Sequence, residues 1–205
     1  MTKFKNKYRI ESTRLPDWDY TTPGWYFVTI CTKNREPFFG QVVNGVMRLS
    51  PIGEIVAEEW QKTEEIRENV TMDASVIMPN HVHGVIIIHE QRDDDNVVMP
   101  GFTANPVAMA QSVETPRRGV STDWGQTAKA TQNWKSGSLG AIIGQIKSVC
   151  TKRIWAAGYP EFGWQSRFYD HIIRNRESLE HIRAYIYNNP KQWEDDDYFL
   201  GNSDL

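Results

Sequence analysis

The chain predicts an α+β sandwich. Segments rich in aromatic and β-branched residues alternate with stretches whose apolar residues recur at helical spacing. The strands follow one another as a meander and not as strict βαβ repeats, and two or three helices accompany them. Asn44-Gly45 and Pro79-Asn80 mark tight turns between neighbouring strands.

Trp25 to Thr32 (WYFVTICT) is the first strand candidate. Phe38 to Val43 and Val46 to Leu49 flank Asn44-Gly45 and predict a hairpin. Ser50-Pro51 opens a helix, with serine placed to cap and proline at the first helical position. Along it Ile52, Ile55, Val56, Trp60 and Ile66 form the inner stripe, and Glu58, Glu59, Lys62 and Glu65 face out. Thr71 to Met78 and His81 to Ile88 are strands on either side of the Pro-Asn turn. Val85 to Ile88 has no polar alternation, which predicts a central strand covered on both faces. From Glu90 to Gly137 periodicity collapses into an aspartate run and scattered Gly, Pro, Ser, Thr and Gln, the composition of a flexible insertion within one domain of 205 residues. Phe102, Trp124 and Trp134 are apolar residues within it that are expected to dock. Order resumes with a helix from Leu139 to Ile154, striped by Leu139, Ile142, Ile143, Ile146, Val149 and Cys150. A strand follows within Trp164 to Ile173, and then a helix capped by Asn175, buried along Leu179, Ile182 and Ile186, and ended by Pro190.

Composition narrows the function classes. Hydrophobic residues make up 40% and aromatic residues 12% of the chain, as in globular soluble proteins. The longest aliphatic run is far too short to span a membrane, and no apolar segment follows the charged amino terminus as a secretory signal would require. Cys31 and Cys150 are too few for a disulfide framework or a four-ligand zinc site, so a reduced, cytoplasmic setting is expected. A net charge of -3 argues against nonspecific coating of nucleic acid. Basic residues nevertheless outnumber acidic ones in the amino-terminal arm and between Leu139 and Lys191, while acidity gathers at Asp93 to Asp95 and Glu194 to Asp197. A locally basic surface of this kind is compatible with nucleic acid.

The chemistry concentrates in two places. His81 and His83, two apart on a strand, point to one side of the sheet and can aim two imidazoles at one ion. His89 shares their parity but lies six strand residues on, about 20 Å away. On the last helix Tyr185 and Asn189 share a face, with His181 one turn before. Tyr187 is rotated by about 200° from Tyr185. The helix therefore brings only one of these tyrosines easily beside the histidines.

Met78-Pro79-Asn80-His81-Val82-His83 followed by aliphatics resembles the histidine–hydrophobic–histidine motif of single-tyrosine HUH transposases. Trp164-Gln165-Ser166-Arg167-Phe168 and Tyr185-Ile186-Tyr187-Asn188-Asn189-Pro190 resemble that family's carboxyl-terminal signature, most like the REP-associated tyrosine transposases. The likeness spans most of residues 20–193 in order, without the insertion. It implies a ferredoxin-like antiparallel sheet with helices packed on one face. It also implies Mg²⁺ or Mn²⁺ held by His81, His83 and a polar residue one turn after the tyrosine, here Asn189 where some relatives have the longer glutamine. Tyr185 would attack the scissile phosphate of a single DNA strand, leaving a 5′-phosphotyrosine and a free 3′-hydroxyl. The implied partner is single-stranded DNA with a hairpin, bound by a monomer or a homodimer. Lys147, Lys152, Arg153 and Arg167 are the candidate DNA contacts.

Three alternatives predict different residues. A histidine-triad hydrolase needs a histidine at position 85, which is Val85. A silent DNA-binding derivative of a transposase has no need of His81, His83 and Tyr185. A structural zinc protein needs cysteines near the histidine pair, and neither Cys31 nor Cys150 is near it in sequence.

Overall fold

Two strands that are apolar on both faces organise the chain, and such strands need cover on both sides. They are β3 (Gly24–Cys31) and β7 (His81–Ile88), paired antiparallel with Thr29 opposite His83 and Cys31 opposite His81. A computed structural model describes residues 18–90, 135–196 and 198–199, with the backbone of a short antiparallel pair, β1 (Lys3–Phe4) and β2 (Lys7–Tyr8). Most of the expected insertion, with Asp93 to Asp95, Phe102, Trp124 and Trp134, lies outside the described residues, as do the side chains of the basic amino-terminal arm.

Two further strands, β6 (Val70–Met78) and β8 (Tyr169–Ile173), complete a four-stranded sheet of order β6-β7-β3-β8 in which every pairing is antiparallel. A separate hairpin, β4 (Gly40–Val43) with β5 (Val46–Leu49), turns at Asn44-Gly45, both at positive φ as that turn requires. Of the three α-helices among the described residues, α1 (Pro51–Ile66) follows the hairpin, α2 (Leu139–Ala156) lies between β7 and β8 in the chain, and α3 (Arg176–Asn188) follows β8. With the hairpin set aside, the order βαββαβ and the strand sequence in the sheet are those of a ferredoxin-like fold. The expected α+β class and antiparallel sheet are therefore found.

The arrangement of helices differs from the expectation of one covered face. Val28, Ile30, Val82, Ile86 and Ile172 pack against α1 and α2. Val85 and Ile173 pack on the other face against Leu179 and Ile186 of α3. The reason is the run Val85 to Ile88, which presents apolar side chains alternately to both faces. Two residues of α1 also depart from the expected stripe. Glu59 is buried at 8% exposure because Arg153 of α2 reaches it, and Ile66, the last residue of α1, is 61% exposed.

The caps lie where serine and asparagine predict them. Ser50 Oγ accepts from Gly53 N, Ser138 Oγ from Ala141 N and Asn175 Oδ1 from Ser178 N. Of the described helices, none is long and apolar enough to cross a membrane.

The close approach of α1 to β7 depends on Gly84. A Cβ built there would stand 2.2 Å from Trp60 Cζ2. Gly84→Ala is expected to cost about 1–3 kcal/mol by overpacking. The measurement is the thermal midpoint, which should fall in Gly84→Ala and recover in part when Trp60→Phe is added. An unchanged midpoint in the single variant would contradict this packing.

Candidate active site

His81 and His83 begin β7 directly after the Pro79-Asn80 turn, and both point to the face that carries α3. Each imidazole is oriented from behind. Asn80 Nδ2 donates to the carbonyl of Tyr198 at 2.8 Å, which turns its Oδ1 toward His81 Nδ1 at 2.9 Å. An amide oxygen can only accept, so Nδ1 of His81 carries the proton and Nε2 is bare. That Nε2 is buried and has no hydrogen-bond partner among the described residues. His83 Nδ1 lies 2.9 Å from Thr29 Oγ1. With the Thr29 oxygen accepting from His83 Nδ1–H, the tautomer in which the outer nitrogen can ligate a cation, His83 Nε2 is bare as well.

Burial keeps both rings neutral. His81 is held down to about 2, by desolvation first and then by the neighbouring His83 and Arg35. His83 is held down to about 4 by desolvation, opposed by Asp196. The His81 and His83 rings meet edge to face at 4.3 Å, with Phe27 stacked on His83 at 5.4 Å and Tyr198 over His81 at 4.6 Å.

The last helix brings Tyr185 to this pair. Leu179 and Ile186 bury one edge of α3, and Arg183 ties the helix to β6 through two hydrogen bonds to Asp73. The Tyr185 hydroxyl lies 3.2 Å from His83 Nε2 and in that tautomer donates to it. Tyr187 points elsewhere and is 80% exposed. His89, at the other end of β7, bonds Thr71 Oγ1 instead.

Sequence reasoning missed one group. Asp196 follows a 3₁₀ segment, Asn189–Asp195, that Pro190 starts and that returns the chain over the histidines. Its carboxylate accepts from Asn189 Nδ2 and from the Tyr198 backbone N–H, each at 2.8 Å. Ligand atoms of His81, His83 and Asp196 all lie within 4.8 Å of one another, close enough to share an ion. Two bare imidazole nitrogens, one of them orphaned, and an oriented carboxylate fit a divalent cation. Asn189 itself is buried at the end of α3, with its amide nitrogen on Asp196 and its Oδ1 without a hydrogen-bond partner among the described residues. In the sequence Asp196 reads as part of a solvated acidic run. The signal that could have singled it out is the aromatic setting of Trp193, Tyr198 and Phe199 just after a helix-ending proline.

The expected DNA contacts divide. Lys147 donates to the carbonyls of Gln165 at 2.7 Å and Arg167 at 3.2 Å, and burial lowers it to about 8. Arg153 bridges α2 to Glu58 and Glu59 of α1. Lys152 and Arg167 are exposed.

The fold is shared with a solved tyrosine transposase. A REP-associated tyrosine transposase bound to a REP hairpin superposes with a TM-score of 0.52 and 19% identity, over 90% of this chain and 74% of that one. A putative transposase from Deinococcus radiodurans superposes less well, with a TM-score of 0.41 and 11% identity over 87% of this chain and 97% of its own. In sequence, the chain is 34% identical over 191 residues to an uncharacterized protein of Haemophilus influenzae, covering 92% of each. The chain belongs to the same family as that protein. No family model matches it.

The neutral histidines have a consequence for stability. In the unfolded chain histidine binds a proton below about 6.5, whereas His83 resists protonation down to about 4. The unfolded state thus binds more protons in that window, and stability falls as pH drops through it and is level above it. Carboxylates such as Asp19, lowered from 3.8 to about 2, act only at lower pH. With chelator present, the thermal midpoint of the wild type should fall more steeply between pH 6.5 and 4 than that of His83→Gln. Parallel profiles would contradict the buried neutral histidine.

Proposed function

We propose that this protein cleaves and rejoins single-stranded DNA through a covalent 5′-phosphotyrosine at Tyr185, in a transposase-like reaction that depends on a divalent metal. The observation that carries the reading is the Tyr185 hydroxyl 3.2 Å from His83 Nε2, beside the unpartnered Nε2 of His81. The likeness in fold to a REP-associated tyrosine transposase bound to a REP hairpin supports a hairpin-bearing single strand as the substrate.

The alternative to a ligand role for His83 is general base, and the energetics oppose it. Proton transfer from an ordinary phenol, pKa about 10, to an imidazole held near 4 is uphill by about 8 kcal/mol. A bare, weakly basic nitrogen is better suited to binding a cation. His81, His83 and Asp196 would hold Mn²⁺ or Mg²⁺, and the two imidazoles favour Mn²⁺ because Mg²⁺ prefers oxygen. When bound, the cation supplies Lewis-acid polarisation of the scissile phosphate and charge stabilisation for the phenolate.

Asn189 holds Asp196 in place through its amide nitrogen, so the carboxylate takes the ligand position expected of the amide. Tyr185 oxygen forms the new bond to phosphorus as the bond to the 3′-oxygen breaks; the phenol's proton passes to solvent, and the departing oxygen takes one up from solvent to leave as a 3′-hydroxyl. Because one phosphodiester replaces another, a second 3′-hydroxyl can reverse the step and join strands without ATP. Lys152 and Arg167 are the exposed cations offered to the DNA backbone. One chain supplies the histidines, the carboxylate and the tyrosine, so a monomer suffices for cleavage.

The test is incubation with labelled single-stranded hairpin DNA and Mn²⁺, followed by a denaturing gel. The wild type and Tyr187→Phe should form a covalent protein–DNA adduct, and Tyr185→Phe should form none. An adduct that survives Tyr185→Phe, or is lost only with Tyr187→Phe, would overturn the assignment.

A further inference from the structure

The ladder between β3 and β8 does not run straight. Thr29 pairs with Tyr169, but the next bridge toward the end of β3 joins Thr32 to Trp164. Three residue steps on β3, from 29 to 32, face five on the returning chain, from 164 to 169, so the second carries two extra residues. They make a bulge across Gln165 to Phe168, and bulges gather beside active sites, where they re-aim a side chain. This one borders the strand pair that carries the histidines. Cys31 pairs with His81 on one side, and on the other its carbonyl accepts from Gln165 N at 2.9 Å. Two strand spacings, about 10 Å, therefore separate the bulge from His81.

Bulged backbone interrupts the ladder, and the carbonyls it frees need another donor. Lys147 of α2 supplies it. Its ammonium donates to the carbonyls of Gln165 and Arg167, at 2.7 and 3.2 Å, and stands 5.9 Å from the centre of the Phe168 ring. An ammonium carries three donors on a flexible stem, so this one group can serve both carbonyls. Phe168 packs into the core under α1 and α2, while Arg167 and Tyr169 on either side of it are exposed. Tyr169 belongs to the histidine face, its ring 6.4 Å from that of Phe27, which itself stacks on His83.

We propose that Lys147 is a positioning residue: by holding this bulge it presents Arg167 to a backbone phosphate of the DNA strand, an inference that rests on the strand-cleaving reading of Tyr185. Lys147 does not touch the DNA itself, because its ammonium is engaged by the bulge. Extended backbone turns successive side chains to opposite faces. With Phe168 committed to the core under α2, Arg167 follows Tyr169 toward the face that carries the histidines. A guanidinium suits the task, since its planar fork matches a phosphate with two parallel hydrogen bonds. Without the ammonium the two carbonyls lose their shared donor, the bulge relaxes, and the guanidinium is no longer aimed.

The experiment measures how binding depends on salt. Fluorescein-labelled hairpin DNA with single-stranded extensions on both sides is titrated with the Tyr185→Phe protein by anisotropy, between about 50 and 200 mM salt. Each phosphate contact contributes about 0.7–0.9 to the slope of log affinity against log salt. Lys147→Met and Arg167→Ala, each added to that background, should flatten the slope by this amount, and the two together should flatten it no further. Lys147→Gln, whose shorter amide reaches at most one of the carbonyls, should flatten it as well, which gives the reading if the methionine variant does not fold. An unchanged slope in Arg167→Ala or in both Lys147 variants overturns the proposal. So does a combined variant that loses about twice as much, which would make Lys147 a phosphate contact in its own right. The wild-type adduct assay separates the two readings: an adduct with uncoupled slopes rejects the positioning role alone, and no adduct with coupled slopes rejects the cleavage chemistry alone.

Discussion

The structure depends on two imidazoles kept neutral and turned by hydrogen bonds so that their outer nitrogens are bare. A buried polar atom without a partner costs about 1–3 kcal/mol, and native folds seldom retain one without a use. Among the described residues His81 Nε2 is one of five such side-chain atoms, and with Asn189 Oδ1 it is one of the two that lie beside Asp196. Its state is fixed at a distance: the Tyr198 carbonyl orients Asn80, Asn80 orients His81, and Thr29 does the same for His83. All of this follows from the register of β3 with β7. A slip of one residue would turn both histidines into the layer under α1 and α2.

The remaining groups arrive by docking onto that strand pair. α3 is a short helix with little apolar edge, so its placement draws on the Arg183–Asp73 pair as well as on Leu179 and Ile186. That placement decides which tyrosine meets His83. The segment after Pro190 then folds back and delivers Asp196, whose carboxylate is held by Asn189 and by the Tyr198 backbone. Aromatic rings from three elements, Phe27, Tyr185 and Tyr198, wall the histidines. Each protein contact removes water from the site and so strengthens the electrostatic effect of any ion held there.

The parts of this arrangement that follow a period could be read from the residues. Alternation placed His81 beside His83 on one face, and the helical angle separated Tyr185 from Tyr187. The caps at Ser50, Ser138 and Asn175 and the turns at Asn44-Gly45 and Pro79-Asn80 are local chemistry of the same kind. What could not be read depends on contacts distant in sequence. Asp196 sits in a run of acids whose composition says solvent, and only the 3₁₀ return after Pro190 brings it to the histidines. Glu59 looked like an outward-facing helix residue because its partner, Arg153, lies in another helix. Lys147 looked like a phosphate contact, yet its ammonium is engaged by two carbonyls of the segment leading to β8. The irregularity in β6 between Met72 and Ser75 has no signature in the residues themselves.

His81, His83 and Asp196 are proposed to form one cation site beside Tyr185. Crystals of the protein soaked with Mn²⁺, measured for anomalous scattering, test it directly. One manganese peak is expected, in coordination contact with Nε2 of His81, Nε2 of His83 and a carboxylate oxygen of Asp196. Manganese bound elsewhere, or held by the two histidines with the Asn189 amide oxygen in place of Asp196, would contradict it.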